Sequence, residues 1–290
     1  MSKTRARLLL AAVFVARGTS FLFSKTLLQA LPPLSILAVR FIAAFLILAA
    51  VFHRRLIACD RASLRGGAIL GALYTVCMVF EMFGLRLIDT GVASLIENMA
   101  IVLVPLFAAA VTRTPPRGRT MLCAALAVAG VGFLSRTQGH SQNGGLGVLL
   151  AVLAAVTYAM CIMATERVSR DADPVAIGIV QLGTMGALSL VAALLTGDFA
   201  MPSTGRQWLM LALLVLLCSC FGFAFQPMGQ KYLPAEEAAV LTVVNPLTAS
   251  VMGLLIAGEG MSTGKLVGYV LILAALTLYN VRGSALRPGE

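Results

Sequence analysis

Charge is scarce in this sequence. Only 12% of its 290 residues are Asp, Glu, Lys or Arg, against 59% hydrophobic, and the mean hydropathy of +0.94 excludes an ordinary soluble globular protein. Polar connections are short, so there is no room for a soluble catalytic domain. No Gly-x-x-x-x-Gly-Lys-Ser/Thr segment is present, which argues against ATP hydrolysis by this chain. His-Glu-x-x-His is also missing. His53 and His140 fall in predicted loops on opposite sides of a membrane and cannot share a site. The six cysteines show no Cys-x-x-Cys spacing and lie mostly in apolar stretches, where free Cys acts as a small hydrophobe. No metal, cofactor or disulfide is expected. A membrane-embedded enzyme needs converging nucleophile, base or metal ligands, and the sequence offers none.

What is present is apolar and periodic at membrane length. A bilayer core about 30 Å thick takes about 20 apolar residues per helix, and backbone groups in lipid must pair within their own helix. The sequence predicts ten transmembrane helices at 8–30, 34–52, 66–86, 90–112, 118–135, 144–165, 174–195, 206–228, 236–257 and 264–282. The basic N-terminus followed by an apolar run resembles a secretory signal. That run passes residue 20 with no Ala-x-Ala site, so an uncleaved span is expected.

With the N-terminus inside, the loops and tails carry 15 Lys/Arg on the cytoplasmic side and 4 outside, the asymmetry of the positive-inside rule. Both termini are expected in the cytoplasm of a multi-pass protein of the inner or plasma membrane. The net charge of +10 thus reports topology and not a nucleic-acid partner.

The chain repeats itself at an offset of 141 residues. Pro33-Leu-Ser-Ile-Leu-Ala-Val-Arg40-Phe41 aligns with Pro174-Val-Ala-Ile-Gly-Ile-Val-Gln181-Leu182, Pro105 with Pro246, and Arg17-Gly18 with Tyr158-Ala159. In the third helices the offset becomes 145, matching Glu81 to Gln226 and Gly84 to Gly229. The predicted domains are 1–137 and 143–284. Each holds five helices, an odd number, so the second enters the membrane from the opposite side. Inverted repeats of this kind belong to secondary transporters with a site near the midplane.

The sequence resembles the EamA domain of the drug/metabolite transporter superfamily. The resemblance rests on Pro234-Ala-Glu-Glu-Ala-Ala-Val-Leu-Thr-Val-Val-Asn-Pro246-Leu, Leu255-Ile-Ala-Gly-Glu259 and Gly268-Tyr-Val-Leu-Ile-Leu in the second half. In the first half it rests on Arg40-Phe41, Val102-Leu-Val-Pro105-Leu-Phe and Ala129-Gly130-Val-Gly-Phe. No single motif is specific; the ordered set over the whole chain is. The resemblance implies a cavity among helices 1, 3, 4, 6, 8 and 9, with helices 5 and 10 peripheral. It also implies transport, often outward, of amino acids, amines, drugs or nucleotide-linked metabolites. Two departures stand out: Arg17 replaces the aromatic residue before Gly18, and Thr114-Pro115-Pro116 replaces the Gly-Glu that ends helix 4.

Ionisable groups inside a bilayer are costly and mark candidate sites. Glu81 and Glu97 lie eight residues either side of the hairpin tip near Asp89, so both are expected at similar depth on neighbouring helices. Facing carboxyls repel, and burial disfavours their charge, so at least one can take up and release a proton. A fixed cation or solvent are the other partners open to them. Arg17, at mid-span, must pair with Glu81 or Glu97 or meet an anionic substrate group. Lys25 and Arg40 lie nearer the outer surface and can snorkel; Arg40 is expected to make a structural contact, since its repeat mate is the neutral Gln181. Tyr158, Gln226 and Asn245 are neutral candidates in the second half. Pro105, Pro227 and Pro246 are expected hinges, or static kinks, because proline removes a helical hydrogen bond.

The expected protein is therefore an all-α secondary transporter of small metabolites, working by alternating access and proton coupling, with lipid as its surroundings. A facilitative carrier, a channel or an exchanger for nucleotide-linked solutes is the alternative. Oligomeric state and substrate are not written in these features.

Overall fold

The computed structural model describes residues 1–113, 118–138, 143–170, 172–234, 237–238, 241 and 244–283. His140 and Thr114-Pro115-Pro116 lie outside them. Ten helical spans are seen among the described residues, each near a predicted one. They are α1 (Lys3–Leu27), α2 (Pro33–Val51), α3 (Arg61–Leu87), α4 (Thr90–Thr112), α5 (Gly118–Gln138), α6 (Gly144–Ser169), α7 (Pro174–Thr196), α8 (Gly205–Gln230), α9 (Val244–Leu255) and α10 (Thr263–Gly283). A short helix, His53–Ile57, carries one of the two histidines between α2 and α3. Eight of the spans are long and apolar enough to cross a bilayer; α9 and α10 contribute shorter apolar stretches.

Local chemistry sets the helix starts. Ser2 caps α1 by accepting from the Arg5 N–H at 3.3 Å, and Asp60 caps α3 through the Ser63 N–H at 3.0 Å. The repeat mates Pro33 and Pro174 both open their helices, where a missing N–H is not needed. Thr204 and Gln207 form a reciprocal capping box at the start of α8.

Two spans are not regular. α4 breaks into Thr90–Glu97 and Ala100–Thr112, with Asn98 and Met99 between. α8 contains a ten-residue π-helix, Leu214–Phe223, between two α-helical stretches. Such widened turns concentrate at functional sites.

Packing follows the repeat. α3 lies against α6 and α7; α8 lies against α1 and α2; α4 meets α6 and α9 meets α1. The pairs α2–α7, α4–α9 and α5–α10 complete the bundle. This set is unchanged when each helix is exchanged for the one five places along, as an internal two-fold requires. Since five is odd, the two halves run in opposite directions through the membrane. Close approaches need small residues in lipid, where packing and not hydrophobic exclusion drives association. A Cβ on Gly130 of α5 would stand 3.0 Å from the Gly268 carbonyl of α10, and the reverse holds for Gly268. α5 buries 28% of its most apolar stretch against 44–56% for the other seven long spans, so it sits at the edge of the bundle. Leu8, Leu195 and Leu255 are among the large side chains left facing outward, as lipid contact demands.

Candidate functional site

Seven helices bring polar side chains to the centre of the bundle. Arg17 of α1, Arg40 of α2, Tyr74 and Glu81 of α3, Glu97 of α4, Tyr158 of α6, Gln226 of α8 and Asn245 of α9 each expose 4% or less. The cluster is shut off from both faces.

Arg17 is its hub. Its Nη1 donates to Gln226 Oε1 at 2.7 Å and to Tyr158 OH at 3.2 Å. Its guanidinium lies 4.4 Å from the centre of the Phe223 ring and 4.8 Å from that of Tyr158, an arrangement that partly offsets burial of the cation. Arg17 and Tyr158 are repeat mates, so the internal two-fold passes between the first and sixth helices at this contact. Gln226 Nε2 in turn donates to Tyr74 OH at 2.9 Å. The expected pairing of Arg17 with Glu81 or Glu97 is corrected: both glutamates are within electrostatic reach, but no Arg–Glu pair of the cluster closes to an ion pair among the described residues. Gln226, the repeat mate of Glu81, supplies the acceptor instead.

Arg40 makes a structural contact, as expected, but does not reach the surface; it is 1% exposed, because α7 and the π segment of α8 pack over α2. Its Nε donates to Ser219 Oγ at 2.6 Å, and Ser219 donates to the Leu214 carbonyl five residues back. That second bond spans one π-type turn, tying Arg40 to the widened helix. Arg40 Cζ lies 5.7 Å from the Phe223 ring, so the two guanidiniums flank one aromatic side chain. Its Nη1 is buried without a partner.

Glu81 of α3 and Glu97 of α4 are both buried in this cluster, at 4% and 1% exposure. Glu97 Oε2 has no partner, and Glu97 is the last residue before the break in α4. The site is thus divided: two guanidiniums bonded to neutral groups, and two carboxyls.

The remaining candidates are placed less centrally in the network. Asn245 is buried with both amide atoms unpartnered, and its carbonyl lies 2.9 Å from where a Cβ on Gly18 would sit. Only glycine lets α1 and α9 approach this closely beside Arg17. Pro105 is inside the second half of α4, but the discontinuity falls at Asn98–Met99. Pro227 follows the π segment, and its missing N–H removes the ordinary α-helical donor for the carbonyl of Phe223, which ends that segment. Pro246 lies in the first turn of α9.

Several residues were not anticipated. Tyr74 falls on Ser219 at the 145-residue offset, so the repeat itself would have flagged it beside Arg40's partner. A second group surrounds the α3–α4 turn. Lys25, part-buried, reaches this turn: its Nζ donates to the Leu85 and Ile88 carbonyls at 2.6 and 2.8 Å, at the C-terminal end of α3. Glu259 accepts from the N–H groups of Thr90 and Gly91 at 2.6 and 3.3 Å, at the start of α4. Lys265 pairs with Asp89. A cation at one helix end and a carboxylate at the next both oppose the exposed helix dipoles. Cys59, Cys77, Cys123, Cys161, Cys218 and Cys220 are all free, and no group of His, Cys, Asp and Glu suited to a metal occurs among the described residues.

Comparison with known proteins agrees with this architecture. The sequence matches the EamA-like transporter family over residues 4–136 and 145–281. It is 24% identical over 295 residues to the uncharacterized transporter YvbV of Bacillus subtilis (strain 168), covering 98% of this chain and 94% of that protein. To the uncharacterized transporter YwfM of the same organism it is 26% identical over 210 residues, 70% of each chain. A solved structure titled "Crystal structure of protein" superposes with a TM-score of 0.71 over 99% of this chain and all of its own, at 20% identity, and so shares the fold. With the family matched over both halves, this ten-helix integral membrane chain belongs to the EamA-like transporter family.

Proposed function

We propose that the chain is a secondary active exporter of a small metabolite carrying both a carboxylate and a cationic group, driven by proton exchange through alternating access. The observation that supports this reading is the divided charge of the buried cluster. Arg17 and Arg40 cannot shed their protons, yet they bond only to neutral groups. A solute carboxylate satisfies them better than Gln226 or Ser219, because it brings a full opposite charge and can take both prongs of a guanidinium. Glu81 and Glu97 offer the opposite charge to an ammonium when deprotonated. A proton and the solute then compete for one carboxyl pair, which couples the two. The Tyr158 and Phe223 rings face Arg17, and Tyr74 meets both edge to face.

Alternating access is supported by the inverted halves and by the broken α4 and widened α8, since irregular backbone gives a helix a place to bend. Outward transport follows the family pattern. The Lys/Arg distribution supports an inner or plasma membrane orientation with both termini in the cytoplasm and repeats spanning 1–137 and 143–284. Reconstituted vesicles preloaded with labelled zwitterionic, cationic and anionic metabolites test the reading, with and without an imposed pH gradient. Saturable counterflow of a zwitterion that responds to the gradient is expected. Unsaturable flux, or flux indifferent to the gradient and to Glu97→Gln, overturns it.

A further inference from the structure

Away from the central cluster, a cleft of about 690 Å3 opens between the two halves. It lies between the α2–α3 connection, the α6–α7 turn and the C-terminal end of α8, and Arg54, Arg55, Arg170, Lys231, Asp60 and Asp173 line it. Its volume falls in the range of about 300–1,000 Å3 that holds a small organic ligand.

The two carboxylates are already committed. Asp60 accepts from the Ser63 N–H at 3.0 Å, and the Ser63 contacts hold its carboxyl below the usual range. Asp173 caps α7 through the Val175 N–H at 3.0 Å and faces Arg55 at 3.6 Å. Arg170 is engaged by Glu166 at 2.5 Å. Two cations remain without a carboxylate among the described residues: Lys231 donates to the Ala172 carbonyl at 3.1 Å, and the Arg54 guanidinium, which lines the cleft, has no hydrogen bond or ion pair within that set. The lining is therefore left with a cationic excess.

Lipid-facing side chains flank the same connection. Val51, Ile57 and Leu64 are 64%, 83% and 55% exposed, on either side of Arg54 and Arg55. A free anion has no use for that apolar border, whereas acyl chains do. Basic clefts between helices on the cytoplasmic side suit anionic headgroups, each nearby Lys or Arg contributing about 1 kcal/mol.

We propose that this cleft binds the phosphate of an anionic phospholipid headgroup, with Arg54 and Lys231 as its principal contacts. The full chain, purified in a neutral detergent, is titrated with short-chain phosphatidylglycerol, short-chain phosphatidylcholine or inorganic phosphate, and its thermal midpoint is followed. Phosphatidylglycerol should raise the midpoint by several degrees and phosphatidylcholine should not. The double variant Arg54→Gln, Lys231→Gln should lose at least half of that shift, while Arg206→Gln at the opposite mouth keeps it. Arg54→Gln alone, at a side chain with no bond to lose, serves if the double variant folds poorly. Native mass spectrometry should count a retained phosphatidylglycerol in the parent and not in the variant. An equal shift with phosphatidylcholine, a full shift in the variants, or a full shift with inorganic phosphate alone overturns the proposal. No transport is read, so the outcome is independent of the proposed function.

Discussion

The two halves of the molecule share one scaffold and divide the chemistry unequally. In the first, α1 to α4 supply Arg17, Arg40, Glu81 and Glu97; in the second, the repeat mates of the first three are Tyr158, Gln181 and Gln226, all neutral. Duplication fixed where side chains meet but not what they are. One pair of mates bonds directly across the axis, Tyr158 to Arg17, while Gln226, the mate of Glu81, bonds to Arg17 and Tyr74. A charged half against a neutral, polar half lets buried cations find acceptors without neutralising them. That leaves charge available to a solute. The ends of the bundle differ in the same spirit. At the end where Lys25, Glu259 and Lys265 hold the α3–α4 turn, a cleft beside Thr26 and Thr204 measures about 160 Å3. The cleft beside Arg54 and Lys231 measures about 690 Å3.

The sharpest test of the comparison is transport itself. Glu97→Gln, in the charged half, should reduce gradient-driven flux in vesicles by 100-fold or more. Asn245→Ala, in the neutral half, should slow it by about tenfold. Equal losses would mean the halves contribute alike.

Next in size is the stability of Arg17→Ala. It leaves Gln226 Oε1 and Tyr158 OH without their donor, at about 1–3 kcal/mol for an unsatisfied buried group. In denaturation midpoints, the losses from Arg17→Ala and Gln226→Leu should be markedly less than additive, because the partners share one network. Arg17→Ala and Glu97→Gln should add. The reverse pattern would restore a carboxylate as the resting partner of Arg17.

A smaller effect is expected at the latched end. Glu259→Ala removes the cap from α4 and should cost about 1 kcal/mol. A cysteine introduced as Gln29→Cys should then label faster from that face, with no change in labelling of Cys59 at the other. An unchanged rate at position 29 would show that the turn is held without Glu259.

The smallest concerns acid. Asp60 is held below the usual carboxylate range by Ser63, so its stabilising contribution is complete above its unfolded value of about 3.9 and fades as pH falls through the lower folded value. The parent and Asp60→Asn should keep a constant difference in thermal midpoint between pH 7 and 5, which narrows only below about pH 4. A difference that changes between pH 7 and 5 would contradict this assignment.

Much of the site could be located from the sequence but not connected. Offsets of 141 and 145 bring Arg17 to Tyr158 and Glu81 to Gln226, and the hairpin at Asp89 sets Glu81 and Glu97 at one depth. For Arg40 the neutral repeat mate pointed to a structural contact, but its full enclosure was not legible, because position along a helix gives depth while burial depends on which neighbours cover it. The Pro residues did not locate the irregular backbone: in α4 the break falls at Asn98–Met99, and in α8 a π-helix precedes Pro227. Glu259 stood out only as part of a motif, since its partners, the N–H groups of Thr90 and Gly91, lie in the other half of the chain.

By itself the sequence determined the number of spans, their limits, the duplication and the location of rare charge. Each follows from a one-dimensional demand: lipid requires a fixed run of apolar residues, and it penalises every ionisable group within that run. The tertiary structure alone decided which acceptor Arg17 takes, that Arg40 is enclosed, and which carbonyls and N–H groups Lys25 and Glu259 cap. Those outcomes depend on the rotation of each helix about its axis. In lipid a helix is apolar on nearly every side, so no amphipathic stripe records that rotation, and only the packed bundle fixes it.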